Sequence, residues 1–297
     1  MIHNEHNDTV SVALGTFDGL HIGHRAVITA DKTEYSRRAV LMFAEHPQKV
    51  LNGVSPGELV TRKKCAELLR EWGAEPIYTD FAPVADYSPR EFFEKIIIGE
   101  LHADAVSCGF NYRFGKEARG DTAVLKALCA EYGIKLTVCD AVEYNGAPVS
   151  STRIREALRS GDIRSANAML GRRYSYAFEV VHGDERGRTL GSPTANQFFG
   201  EDMTVPQFGV YASFTTVDGV KYPSVTNIGV RPTVGSSTER SETHIIGFSG
   251  NLYGTYPEVE LVQKLRDEKQ FSSFAELSEN IAADRAAALA ILAREEK

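Results

Sequence analysis

The feature that most constrains the fold is a change in secondary-structure pattern partway along the chain. Before about residue 159, short apolar strand patterns alternate with amphipathic helix patterns, as in Val10–Leu14 followed by His24–Tyr35. After about residue 173, strand-like runs such as Val210–Val217 follow one another without intervening helices. Alternating strands and helices predict a parallel sheet covered by helices. Successive short strands predict a small antiparallel barrel or sandwich.

The length also favours two domains, because 297 residues exceed what one hydrophobic core usually supports. We place the boundary in the transition, with a first domain at residues 1–168 and a second at residues 169–297. The second domain should end in a helix at about Ser273–Ala293. Ser273 and Glu276 form a capping-box pattern at its start, and Phe274 begins its apolar stripe.

Charge and composition exclude several classes of partner. The formal net charge is -7, and division at residue 170 leaves -3 before and -4 after. A nucleic-acid or anionic-membrane binder would show a basic excess, so we expect small-molecule substrates and a monomer or weak homo-oligomer. No apolar run approaches the ~18 residues of a membrane helix, and Met1–Asp8 lacks a secretory pattern. The four cysteines form no Cys-x-x-Cys pair, as expected for reduced thiols in the cytoplasm.

The first candidate site follows the first strand pattern, at Gly15-Thr16-Phe17-Asp18-Gly19-Leu20-His21-Ile22-Gly23-His24. The glycines let the backbone approach a ligand closely. The start of the following helix supplies unpaired N–H groups to a phosphate. His21 and His24 share one face of the first helical turn, where they could stabilise charge on a reacting phosphate. Taken alone, the histidines could also be a metal pair or surface residues.

A second candidate phosphate-binding segment is Val149–Arg155. Ser151 and Thr152 supply hydroxyl groups, and Arg155 supplies a guanidinium at a helix start, which suits an anionic triphosphate. A capped amphipathic helix explains this segment equally well when it is considered alone.

Together these segments resemble the nucleotidylyltransferase superfamily, which transfers a nucleoside monophosphate from a triphosphate. The resemblance implies a Rossmann-like domain in which Gly15, Phe17, Asp18, Gly23, Ser151, Thr152 and Arg155 bind ATP or its phosphates. Phe43-Ala44-Glu45-His46-Pro47 and the run Cys108–Gly115 resemble bacterial FAD synthetases more narrowly. By that resemblance, Asn111 faces the flavin nucleotide, and Arg113 neutralises a phosphate.

The third candidate site is the polar, glycine-rich segment Val181–Asn196. Its spaced glycines suggest a loop that folds over a ligand, and the oxygens of Thr194 and Asn196 suit Mg2+. Pro193-Thr194-Ala195-Asn196 resembles the corresponding motif of riboflavin kinases. This resemblance implies that Gly183 and Gly191 bind ATP. By resemblance, Glu242 is the base that takes the proton from the riboflavin 5'-hydroxyl, although a lone strand glutamate is usually a solvated surface residue.

The resemblance spans about Val10–Ala287 and follows the domain order of bacterial bifunctional riboflavin kinase/FAD synthetases. It implies phosphorylation of riboflavin by MgATP to FMN, and then adenylylation of FMN by a second ATP to FAD. Ser192 and Gln197 depart from the family pattern, which usually has apolar residues there. Three alternatives stay open: a nucleotidylyltransferase for another phosphorylated substrate, a flavin-sensing or flavin-storing protein with inactive sites, and a chain in which only one domain is active.

Overall fold

The computed structural model describes residues 9–181, 194–233 and 236–295. Contacts within the chain define two compact units. One comprises residues 1–56 and 60–150, and the other comprises residues 57–59 and 151–297. The domain division at residues 168 and 169 stays a prediction. Among the described residues, no helix is long and apolar enough to cross a membrane.

The first unit is built on a five-stranded parallel sheet, which confirms the fold predicted from the alternating pattern. Its strands are β1 (Val10–Leu14), β2 (Arg37–Phe43), β3 (Glu75–Thr79), β4 (Ala105–Gly109) and β5 (Lys135–Cys139). They lie in the order β3-β2-β1-β4-β5, and all neighbours are parallel. Successive side chains of a strand point to opposite faces. Val12 and Leu14 therefore pack in one core, whereas Ala13 packs in the other.

Helices cover both faces of this sheet. They are α1 (Ile22–Ile28), α2 (Pro47–Asn52), α3 (Arg62–Glu71), α4 (Phe81–Val84), α5 (Pro89–Phe92), which continues as a π-helical segment (Phe93–Glu100), and α6 (Thr122–Tyr132). A short hairpin of β6 (Glu143–Tyr144) and β7 (Ala147–Pro148) follows. Ser88 and Glu91 form a reciprocal capping box at the start of α5, which this sequence pattern favours.

The second unit combines helices with a six-stranded antiparallel sheet. Its elements are α7 (Ser151–Arg159), α8 (Ile163–Leu170), β8 (Tyr174–Ala177), β9 (Thr194–Phe198), β10 (Gly209–Val217), β11 (Val220–Thr233), β12 (Ser236–Ile245), β13 (Glu258–Arg266) and α9 (Phe274–Glu295). The strand order is β8-β13-β10-β11-β12-β9. The sheet curls, and Val181 just beyond β8 donates its N–H to the carbonyl of Asn196 in β9 at 3.0 Å. The predicted small antiparallel barrel is therefore confirmed.

Buried hydroxyl groups line the interior of the curled sheet. Ser213 contacts both Ser224 and Thr226, and Thr226 contacts Thr243, at oxygen–oxygen distances of 2.8–2.9 Å. These residues are fully buried. Because buried polar groups are costly unless they are hydrogen-bonded, each strand supplies the partners of its neighbour. Asn227 and Glu242 alternate with these buried residues along β11 and β12, so they lie on the opposite face of the sheet.

Two local features of the second unit follow from short sequence patterns. Asp218 and Gly219 connect β10 to β11 as a two-residue hairpin turn with φ values of 49° and 79°, as this dipeptide predicts. The last helix is capped by the Ser273 hydroxyl, which accepts from the Glu276 N–H at 3.2 Å. The Glu276 carboxylate reaches one residue further than predicted, to the N–H and hydroxyl of Ser272.

Two other expectations for the second unit are wrong. Thr194 and Asn196 were expected in a loop, but they lie in β9, which pairs with β12. Phe274 was expected in the apolar stripe of α9, but it is 64% exposed. The helix contributes Ala288 and Leu292 to the core against Ala212 and Val262. The sheet therefore covers only the later part of α9.

Two candidate active sites

The first candidate site lies where the strand order of the parallel sheet reverses. β1 is followed in sequence by β2 on one side, whereas β4 lies on its other side. Such reversal points leave a crevice beyond the carboxyl ends of the strands, where ligands of open α/β sheets bind. Leu14 is level with Cys108, so the segments that follow β1 and β4 leave the sheet at this crevice. They carry His21, His24 and Asn111.

The segment after β1 is held by buried side chains in unusual backbone conformations. Phe17 and Leu20 have positive φ values of 51° and 44°, and both are at most 1% exposed. Such conformations cost a non-glycine residue free energy unless the surroundings enforce them. A Cβ added at Gly15 would lie 3.1 Å from the Phe17 ring. The loop therefore has a fixed course, with Asp18 half-buried between its two anchors.

The two predicted histidines lie together at the end of this loop. Their rings are stacked with centroids 3.5 Å apart. The Nδ1 of His21 accepts the backbone N–H of His24 at 3.1 Å. A neutral imidazole with an accepting Nδ1 carries its proton on Nε2, where it can be donated. A Cβ at Gly23 would lie 3.1 Å from Cε1 of His21, so glycine leaves room for this ring.

The predicted flavin-nucleotide residues follow β4. Asn111 and Arg113 are both exposed, and Arg113 lies 3.7 Å from the Asp121 carboxylate. Between them, Tyr112 stacks on buried Phe114, with ring centroids 5.6 Å apart. The stacked rings anchor the segment, while the polar side chains on either side of Tyr112 stay accessible. Their roles as flavin-nucleotide ligands stay predictions.

The other predicted phosphate ligands lie in α7, which belongs to the second unit. Ser151 is half-buried at the first position of this helix, and Thr152 is exposed. Arg155 is 6% exposed and donates from Nε to the carbonyl of Gly57 at 2.7 Å. This hydrogen bond from one guanidinium nitrogen to the backbone orients the Arg155 side chain. Phosphate binding by these three residues stays a prediction.

The second candidate site is a row of polar side chains across three antiparallel strands. Glu242 in β12 is directly opposite Asn196 in β9 and Asn227 in β11. Directly opposed residues share a face, with Cβ atoms about 4.5–5.5 Å apart. The ladder thus brings the predicted base Glu242 beside the predicted metal ligand Asn196. Thr194 lies on the same face, two residues from Asn196.

Asn196 and Thr194 have the chemistry of a magnesium site. Asn196 is 6% exposed, and its carboxamide nitrogen donates to the Thr194 carbonyl at 3.3 Å. Its Oδ1 is buried and accepts no hydrogen bond from the described part of the chain. Mg2+ prefers oxygen ligands and usually combines one or two protein oxygens with substrate phosphates and water. The residues present therefore fit this ion. Gly183 and Gly191 lie outside the described residues.

Arg240 is a component of this site that the sequence analysis missed. Its guanidinium lies 2.5 Å from Oε1 of Glu242, and the two side chains are 16% and 31% exposed. Residues two apart on a strand point to the same face. That spacing could have indicated Arg240 from the sequence, because an arginine and a glutamate two residues apart on a strand can form an ion pair. Arg240 thus fixes the orientation of the Glu242 carboxylate.

Comparison with known proteins assigns each part of the chain to a family. An FAD synthetase family model matches residues 3–153, and a riboflavin kinase model matches residues 170–292. A bifunctional riboflavin kinase/FMN adenylyltransferase of Bacillus subtilis is 34% identical over 94% of this chain and 91% of its own length. A protein of the same description from Pseudomonas fluorescens is 33% identical over 98% and 96%.

Among solved structures, one from Streptococcus pneumoniae, titled a macrolide-efflux protein, matches with a TM-score of 0.87 and 28% identity. It covers 95% of this chain and 94% of that one. These relatives therefore match both units of the chain, in the same order and over nearly its full length. The chain belongs to the family of bifunctional riboflavin kinase/FMN adenylyltransferases.

Proposed function

We propose that this chain makes FAD from riboflavin in two ATP-dependent transfers, each performed by its own set of residues. The observation that carries the proposal is the row Asn196–Glu242–Asn227, which places a carboxylate between two carboxamides on one face of the antiparallel sheet. A storage or sensing protein would need no base at this point. The substrates and products are riboflavin, FMN, FAD and ATP, and Mg2+ is the expected metal.

In the kinase reaction, the riboflavin 5'-oxygen attacks the γ-phosphorus of ATP, and the bond to the β-phosphate oxygen of ADP breaks. A hydroxyl is a weak nucleophile, so Glu242 accepts its proton as the new oxygen–phosphorus bond forms. A general base of this kind typically contributes ~10^2- to 10^4-fold. Thr194 and Asn196 would hold Mg2+, which neutralises the ATP phosphates when bound.

In the adenylyl transfer, a phosphate oxygen of FMN attacks the α-phosphorus of ATP, and pyrophosphate leaves. The nucleophile is already an anion near neutral pH, so this step needs no base. It needs donors that stabilise the charge developing on the reacting phosphate. The stacked pair of His21 and His24 supplies such donors at the reversal point of the parallel sheet.

The division of labour is tested by two substitutions and one chromatographic assay. Each variant is incubated with riboflavin, excess ATP and Mg2+, and riboflavin, FMN and FAD are separated over time. Glu242→Gln should abolish FMN formation yet convert added FMN to FAD at nearly the normal rate. His24→Ala should form FMN and stop there. A folded variant that loses both reactions would contradict the assignment, and flavin binding without ATP turnover in the unmodified protein would favour the storage alternative.

We further propose that the protein acts in the cytoplasm on small molecules, without nucleic acid, as a monomer or weak homo-oligomer. The four cysteines are free thiols, three of them buried, which suits a reducing compartment. The acidic balance of both halves argues against a polyanionic partner.

A further inference from the structure

Glu268 lies beside the kinase row, although the proposed reaction gives it no role. It follows β13, and its side chain extends over β11, where Gly229 makes room for it. A Cβ added at Gly229 would lie 2.8 Å from Cδ of Glu268. Gly229 has no positive φ, so its backbone does not require glycine. The Glu268 carboxylate occupies the space beside Gly229, so a side chain at position 229 would displace it.

The Glu268 carboxylate contacts a member of the row directly. Nδ2 of Asn227 donates to Oε1 of Glu268 at 3.4 Å. An ionised carboxylate only accepts hydrogen bonds, so it must face the NH2 group of the carboxamide. Since the two ends of a carboxamide point in different directions, this contact turns Oδ1 of Asn227 away from Glu268. This orientation leaves Oδ1 of Asn227 to act as a hydrogen-bond acceptor, and Asn227 shares its face of the sheet with Glu242.

The charged neighbours of Glu268 in sequence have other partners. Asp267 pairs with Lys264, and Lys269 pairs with Glu276. Glu268 instead extends toward Asn227 and Gly229, the cross-strand partners of Glu242 and Arg240. Its exposed position fits a group at the border of a substrate site better than one in a packed core.

We propose that Glu268 is a positioning residue of the kinase site, which holds the Asn227 carboxamide so that its oxygen accepts a hydrogen bond from riboflavin beside Glu242. The inference rests on the proposed function, because it takes Glu242 to mark the position of the reacting hydroxyl. Gly229 belongs to the same arrangement, since it leaves the space that Glu268 occupies.

A double-mutant cycle on Glu268 and Gly229 tests this arrangement. Glu268→Ala removes the carboxylate, and Gly229→Ala displaces it. Each should lower kcat/KM for riboflavin about 3- to 10-fold, the effect of one oriented hydrogen bond. The double variant should be no worse than Glu268→Ala, because both changes remove one contact. Glu268→Gln keeps an accepting oxygen and should restore most of the activity.

Three measurements separate positioning from a structural defect. In Glu268→Ala, the KM for ATP and the rate of FMN-to-FAD conversion should stay unchanged. Glu279 is an exposed glutamate on α9, and Glu279→Ala should leave all of these parameters unchanged. Unaltered kcat/KM in Glu268→Ala, additive losses in the double variant, or a parallel loss of adenylyl transfer would each overturn the proposal. Glu242→Gln is assayed alongside. If it still forms FMN, the proposed function fails; if only Glu268→Ala is without effect, the positioning role alone fails.

Discussion

Replacing Asp31 with alanine should destabilise the first unit by about 3 kcal/mol near neutral pH. Asp31 is 7% exposed. Its carboxylate accepts the backbone N–H of Thr33 at 2.9 Å and the hydroxyl of Tyr35 at 2.8 Å. Hydrogen bonds to a charged group contribute roughly 1.5–3 kcal/mol each, and the lower end for two bonds gives about 3 kcal/mol. Lys135 also pairs with Asp31, but it is 54% exposed and adds less than about 1 kcal/mol.

The effect should depend on pH in a defined direction. Burial opposes ionisation of Asp31, but hydrogen bonds from Thr33, Lys135 and Tyr35 outweigh it and hold the pKa well below its usual value. A lowered pKa stabilises the folded state fully above the unfolded pKa of about 3.9, and this stabilisation is lost as the pH falls toward the folded pKa. From pH 6 to pH 3, the difference between the unmodified protein and Asp31→Ala should therefore shrink by about 1 kcal/mol.

The single tryptophan makes the assay specific to the first unit. Trp72 follows α3 in that unit, so urea unfolding can be followed by its fluorescence at several pH values. Asp80→Ala is the matched control, because Asp80 is an exposed aspartate in the same unit whose side chain caps no helix. It should change the free energy of unfolding by less than about 0.5 kcal/mol. An Asp31→Ala effect that is equally large at pH 6 and pH 3 would refute the assigned role of the ionised carboxylate.

Two further predictions concern the second unit. Asn196→Ala should raise the Mg2+ concentration for half-maximal FMN formation at least ~10-fold and leave adenylyl transfer unchanged. Asn196→Asp keeps an oxygen ligand and is the matched control. An unchanged Mg2+ titration for Asn196→Ala would exclude Asn196 as a ligand. Asp284→Ala should lower the stability of the second unit by about 2 kcal/mol, because Asp284 holds Arg266 through contacts of 2.8–3.2 Å that join α9 to β13. Urea unfolding followed by circular dichroism tests this, and a shift below about 0.5 kcal/mol would contradict it.

Much of the fold was predictable because its elements are encoded locally. The parallel-sheet strands and the helix with Cys65, Leu68 and Leu69 on one face follow from periodicity within each segment. β9 was not predictable in this way, because its sequence Thr194-Ala195-Asn196-Gln197-Phe198 has no apolar alternation. Buried Gln197 donates to the carbonyls of Phe178 and Pro257 at 2.7 and 3.1 Å. The partners that stabilise β9 are distant in sequence, so the segment alone resembles a loop.

The site residues show the same limit. His21 and His24 are close in sequence, so their proximity was predictable from helical spacing, and their stacking confirms that proximity. The juxtaposition of Glu242 with Asn196 required the strand order, in which β12 lies between β11 and β9. Sequence spacing cannot supply that order. Only the resemblance to riboflavin kinases linked these residues before the structure did.

The two sheet types suit the two reactions for a physical reason. An antiparallel ladder holds side chains from several strands at fixed separations. A base that takes a proton from one particular hydroxyl needs such a fixed position. The proposed base Glu242, bounded by Asn196, Asn227 and Arg240, has that support. The proposed adenylyl transfer requires only donors and a close backbone, which the loop from Gly15 to His24 could provide. If Glu242→Gln impaired the adenylyl transfer as severely as the kinase reaction, this link between sheet geometry and chemistry would be lost.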